Sequence, residues 1–260
     1  MGSLAGKSPA NTYKSLLKVA DETNGVSGSA SQIEDGEGTS TCLKISTTVA
    51  HFKPASDVNA ALKVERANGD DLLTVDTNNS LVKVGTSQVS ATTQLLTFAA
   101  YRLVPSASGT HMVVGLGALE YGAAMAERTL GTGTDPSTSL NSTTTTDDYT
   151  NAIFPVPYNM TIDAVKVLSS TDTDTDTTLN FHLMSYDMVA DGTTSDGDLS
   201  NGVVLADGQA TSVDRSVTKT TDLTIQSSSV TSGKVIMCTV ENETNTDDIN
   251  IQVQVKYHIA

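Results

Sequence analysis

The chain has 260 residues, a formal charge of −15 from 30 acidic and 15 basic side chains, a 38% hydrophobic share and no tryptophan. Such an acidic surface repels duplex DNA or RNA, and no basic, aromatic-interleaved patch offsets it, so nucleic acid is excluded as a partner. No apolar run of about 18 residues is present to span a membrane, and no basic-plus-apolar leader opens the chain; membrane insertion and ordinary signal-peptide export are not expected.

Threonine is abundant and short alternating apolar runs recur to the end of the chain, which indicates an all-β protein rather than an extended disordered one. Residues 1–60 read as an extended N-terminal arm. Gly, Ser, Asn and Thr dominate it, and its spaced anchors are Tyr13, Leu16, Leu17, Leu43 and Ile45. The stretch 36–46 alternates after its glycines and reads as a strand. An arm of this kind suits docking onto a neighbouring protein and orders when it assembles.

Residues 61–110 carry expected strands at 61–64, 72–75, 81–84 and 94–103, separated by the turn sequences NGDD and DTNN. A lone hairpin such as NGDDLLTVDTNNSLVKVG is marginal in water. The region has too few large apolar residues to build its own second layer. Its missing layer is expected from other copies of the chain, which makes it a short intertwined, oligomerising β region. Residues 111–150 read as a joint and polar loop, with an Ala-rich stretch at 118–126 that suggests a short helix weakened by Gly122.

Residues 151–260 read as a distal antiparallel β-sandwich, jelly-roll-like, with seven or eight short strands and long polar loops. The run at 162–168 alternates imperfectly, because Lys166 interrupts the face of Ile162, Ala164 and Leu168. Leu179, Phe181, Leu183 and Ser185 form a cleaner face. In the last strand Ile251, Val253, Val255, Tyr257 and Ile259 point inward; Gln252, Gln254, Lys256 and His258 point outward.

Motifs for chemistry are weak. GLGALEYG lacks the spacing and the Lys-Ser/Thr partner of a phosphate loop, and no GxSxG motif occurs. The spacing of His51, His111, His182 and His258 does not build a zinc motif, and they read as sheet-surface or interface histidines. Asp172, Asp174 and Asp176 alternate with threonine and are weak calcium candidates; Asp191, Asp196 and Asp198 are similar. They lack the loop glycine and terminal glutamate of an EF-hand, so no cofactor is expected. Few aromatic residues are present for a glycosidase subsite. Tyr158, Tyr186 and Asp187 could line a shallow glycan-contact patch, a flat aromatic face beside a carboxylate acceptor. Cys42 and Cys238 are expected to be free, with Cys238 packed as a small hydrophobe.

The opening segment resembles structural proteins of tailed bacteriophages, especially marine ones. There a YxxLL segment precedes a DGxGxxTxLxxS stretch, and the matching residues here are Tyr13, Leu16, Leu17, Asp35, Gly36, Gly38, Thr41, Leu43 and Ser46. GDDLLTVDTNNSLVKVG resembles the recurring β segment that precedes receptor-facing domains of phage fibres. The resemblance covers roughly residues 11–85. It implies a non-catalytic virion protein, homotrimeric, anchored to a capsid or tail protein and able to contact a host-surface glycan. A capsid decoration protein, or a carbohydrate-binding module outside a virion, is the alternative.

Overall fold

The computed structural model describes residues 16–21, 23–105, 107–117, 120–121, 130–140, 151–190 and 197–259. All of its regular elements are strands: β1 (Lys18–Val19), β2 (Ser31–Glu34), β3 (Ser40–Ile45), β4 (Ala50–Phe52), β5 (Leu62–Glu65), β6 (Asp71–Asp76), β7 (Leu81–Val84), β8 (Val89–Ser90), β9 (Thr93–Leu103), β10 (His111–Val114), β11 (Glu120–Tyr121), β12 (Ile153–Pro155), β13 (Met160–Thr171), β14 (Thr177–Met188), β15 (Leu199–Val213), β16 (Lys219–Asp222), β17 (Thr224–Ile225), β18 (Ser229–Val230), β19 (Lys234–Asn242) and β20 (Ile249–Ile259). They fall into two compact units, residues 1–91 and 92–260.

The first unit holds two four-stranded antiparallel meanders, β1-β2-β3-β4 and β5-β6-β7-β8. For the described residues between 16 and 60, this corrects the extended-arm reading of residues 1–60. Side-chain-capped turns fold the segment back on itself: Asp35 Oδ1 accepts the Glu37 and Thr39 amides at 2.9 and 2.8 Å, and Asp21 Oδ1 accepts those of Thr23 and Asn24. Leu43 and Ile45 then lie in β3, paired with Phe52 and Ala50. Leu16 and Leu17 are exposed, and Tyr13 lies outside the described residues.

In the second meander the predicted strands appear in register. Leu62, Val75 and Val82 lie side by side across β5, β6 and β7; Val64, Leu73 and Val84 form the next row, extended by Val89. Period two therefore places six aliphatic side chains on one face of three strands. None of them is buried among the described residues, and Val64, Val82 and Val84 are 47%, 42% and 43% exposed. The only buried residues described in this unit are polar, Thr74 and Asp76.

Asp76 anchors the β6–β7 turn. Its carboxylate accepts Lys83 Nζ at 2.8 Å, Asn79 Nδ2 at 2.9 Å and the Asn79 amide at 3.0 Å. The Lys83 contact, then those of Asn79, hold this carboxyl at about 2 against an ordinary 3.8. A depressed carboxyl contributes stability that is complete above its unfolded value and lost as pH falls through its folded value. The protection factors of the β6–β7 amides, measured against intrinsic exchange at each pH, are therefore expected to fall between about pH 4 and pH 2, by more in the wild type than in Asp76→Asn. Protection that falls in parallel in both proteins over that window contradicts the assignment.

The second unit is built from two six-stranded sheets. One runs β11-β9-β20-β13-β16, with β18 beside β13; the other runs β10-β19-β14-β15-β17, with β12 beside β19. They share one apolar cluster. From the first sheet come Leu96, Phe98, Val165, Val167, Ile251, Val253 and Val255; from the second come Met112, Leu179, Phe181, Leu183, Cys238 and Val240. The expected inward faces of β14 and β20 are thus buried, except that Tyr257 is half-buried and Ile259 exposed at the strand end. The uneven alternation at 162–168 has a physical cause. The register between β13 and β20 shifts between Ile162 and Ala164, so Asp163 is an extra residue. Met160 and Ile162 face inward before the bulge, Val165 and Val167 after it, and Leu168 is left 43% exposed.

Two expectations about 92–150 are revised. The strand expected at 94–103 does not belong with 61–90: β9 pairs with β20 along almost its full length. The second unit therefore begins near residue 92 rather than 151. Within the suggested helix at 118–126, Glu120 and Tyr121 form the short strand β11, parallel to β9 at Ala100 and Tyr101; the rest of that stretch lies outside the described residues.

Candidate functional site

The β10-β19-β14-β15 sheet has a second face, opposite the apolar cluster. Register places His111 opposite Glu241, Asn180 opposite Glu241 and Gln209, His182 opposite Thr239 and Asp207, and Tyr186 opposite Val235. A strand in a two-layer protein would present this face to water, and alternation alone suggests sheet-surface or interface histidines. Here it is covered by the segment 130–140. The Leu130 amide donates to the His111 carbonyl at 2.8 Å, and the His111 amide to that of Gly131 at 3.0 Å. Further along, the Gly202 amide donates to the Thr138 carbonyl at 2.9 Å, and Leu140 pairs with Leu199. The close approach requires a glycine: a Cβ on Gly202 would lie 2.6 Å from a Tyr186 ring carbon and 2.8 Å from Thr138 Cα.

Under this strap the face is apolar at one end and polar at the other. Met184, Met237, Val235 and Tyr186 are buried, and the Tyr186 hydroxyl donates to the Ser137 carbonyl at 2.9 Å. At the polar end, His111 and His182 are buried, with ring centroids 5.0 Å apart and planes at 82°. His111 Nε2 lies 2.7 Å from the Gly133 carbonyl oxygen, and His182 Nε2 lies 3.4 Å from Asp135 Oδ1. Asn180 donates to Glu241 Oε2 at 2.9 Å and accepts from Gln209. Burial, with a smaller contribution from His111, lowers the His182 value from its ordinary 6.5. A cleft of about 290 Å³ opens beside this cluster, walled by Asp135, Asn180, His182, Asp207, Gln209 and Glu243. It offers a set of acceptors and amides for a cationic or polar group.

The residues expected to contact glycan do not form one patch. Tyr186 is fully buried and committed to Ser137, which removes it as a contact residue. Asp187 is paired with Lys234 at 2.5 Å and accepts Asn201 Nδ2 at 2.9 Å; these contacts, Lys234 first, lower its carboxyl value. Tyr158 is 64% exposed and lines a small apolar hollow with Phe154, Pro157, Met160 and Tyr257. The calcium candidates do not converge either. Asp174 pairs with Arg215 through both carboxylate oxygens, Asp172 faces Arg102 and accepts the Asp248 amide, and Asp176 is exposed. Among the described residues no group of three or more His, Cys, Asp or Glu side chains is arranged to hold a metal ion. Asp191 and Asp196 lie outside the described residues.

A groove that the sequence did not reveal lies on the outer face of the other sheet. It measures about 240 Å³ and is walled by Tyr101, Leu168, Ser170, Thr218, Asn250 and Gln252. Tyr101 is 47% exposed, and no charged side chain lines the groove. The residues come from three strands, β9, β13 and β20, and the loop before β16, so no local motif could mark them. His111 and His182 left a fainter signal: β14 carries Met184 and Tyr186 on the face of His182, an apolar content that calls for a cover.

No protein-family model matches this chain, and no curated protein matches it.

Proposed function

We propose that this chain is a structural virion protein, fibre-like or knob-like, that acts by assembly and contact rather than by catalysis. The observation that carries this reading is the open aliphatic face of β5, β6 and β7. Two rows of three aliphatic residues, three of them exposed and three half-buried, lie on a sheet whose own unit supplies no buried apolar side chain among the described residues. Removing that face from water is favourable by about 25 cal/mol for each Å² covered. Three copies turning it toward a common axis would remove it from water, which is the arrangement of a homotrimer. The likeness of the YxxLL segment and of the β6–β7 hairpin to tailed-phage proteins supports the virion setting. Exposed Leu16 and Leu17 suit attachment to a capsid or tail protein.

The second unit is read as a jelly-roll-like sandwich, which strand order supports. Taking β9, β10, β13, β14, β15, β16, β19 and β20 as first to eighth, the sheets run first-eighth-third-sixth and second-seventh-fourth-fifth. Each pair of neighbours then interleaves early and late strands, as two Greek keys do. Contact with a host-surface glycan falls to the uncharged Tyr101 groove, where an aromatic face stands beside amides and hydroxyls.

Sedimentation equilibrium at moderate salt is expected to report three times the chain mass. The double substitution Val82→Asp/Val84→Asp is expected to shift it to the monomer while leaving the second unit folded. A wild-type monomer overturns the assembly on which this function rests.

A further inference from the structure

We propose that His111 and His182 form a binding site for one divalent late first-row transition ion, of the zinc or cobalt kind, held through their two Nδ1 atoms. A carbonyl oxygen can only accept, so His111 Nε2 carries the proton that it shares with Gly133. The Asp135 carboxylate likewise favours the proton on His182 Nε2. Each Nδ1 is then a lone pair. Both Nδ1 atoms are buried and lack a hydrogen-bond partner, and so does the Thr239 hydroxyl directly opposite His182. Three unused polar atoms on neighbouring positions of one covered face are costly unless something binds them.

The pattern around the rings is that of metal-ligating histidines, which donate their second ring nitrogen to a carbonyl or a carboxylate. The spacing agrees. Zinc–nitrogen bonds of about 2.0–2.1 Å at a tetrahedral angle place two ring centroids about 5 Å apart, and the observed separation is 5.0 Å. The Asp135, Asp207, Glu241 and Glu243 carboxylates around the pair favour a dication over a neutral molecule. Thr239 and water complete the coordination.

The test uses the full-length protein, stripped with a chelator and titrated with Co²⁺, then with Zn²⁺. Expected are one equivalent of Co²⁺ per chain, visible ligand-field bands of a low-coordinate ion, and their loss on Zn²⁺ addition. His111→Gln and His182→Gln should each abolish stoichiometric uptake, whereas His51→Gln should not alter it. Asp135 is largely exposed, so Asp135→Asn should fold normally and weaken binding by about tenfold or more. In nitrogen-15 spectra of the wild type, Zn²⁺ should shift both Nδ1 signals and leave both Nε2 atoms protonated. The proposal is overturned if the wild type takes up neither ion. Uptake that survives the double His111→Gln/His182→Gln substitution also overturns it. So do Nδ1 signals that ignore Zn²⁺, the result for a pair satisfied by a buried water.

Discussion

Val255→Asp is expected to unfold the second unit at temperatures where the wild type is fully folded, while Lys256→Asp is expected to leave it nearly unchanged. The two positions are neighbours on β20 and occupy opposite faces. Val255 is buried between Val165 of β13 and Leu96 of β9, at the centre of the shared apolar cluster. A carboxylate there meets no donor and must be desolvated or protonated, at a cost on the order of several kcal/mol. Lys256 sits across from Ala164 and from Leu95, which is 68% exposed, so its replacement stays in contact with water. For a unit of this size each kcal/mol moves the melting temperature by about 2–4 °C. Calorimetry of the two variants should therefore separate them by roughly 10 °C or more. Equal midpoints would mean that the register of β20 is wrong.

A fragment beginning at residue 152 is expected not to fold, whereas one beginning at residue 92 is expected to unfold cooperatively. Removing 92–151 strips β9 from β20 and β10 from β19, which exposes the backbone edges of two long strands. It also deletes Phe98, Leu103, Met112, Val114 and Leu130, all fully buried, from the cluster. Each such loss costs about 2–5 kcal/mol. Their sum, about 10–25 kcal/mol, matches or exceeds the roughly 5–15 kcal/mol by which a domain of this kind is stable. Near-ultraviolet circular dichroism and denaturant titration of the two fragments provide the measurement. Cooperative unfolding of 152–260 alone would show that β9 and β10 are dispensable.

The alternation of the sequence determined by itself most of the strands and several of their faces. A period of two is a local property, so Leu179, Phe181 and Leu183 on β14, and Ile251, Val253 and Val255 on β20, could be read without knowing their neighbours. The same holds for the β6–β7 hairpin, whose turn residues and aliphatic pattern lie within one short stretch. The uneven alternation around Lys166 was also a true local signal, of a bulge at Asp163.

Only the tertiary structure decided which strands share a sheet, because pairing joins residues far apart in the chain. Nothing near β9 shows that its partner is β20, some 150 residues on, and nothing near β14 shows that a strap from 130–140 covers its outer face. That cover turned Tyr186 from a candidate contact residue into a buried one, and pairing of β10 and β14 on either side of β19 brought His111 within reach of His182. The Tyr101 groove is of the same kind, assembled from separate strands. The sequence specifies which face of a strand is apolar, through side-chain period. What lies against that face depends on long-range packing, and it was the packing that created the candidate site.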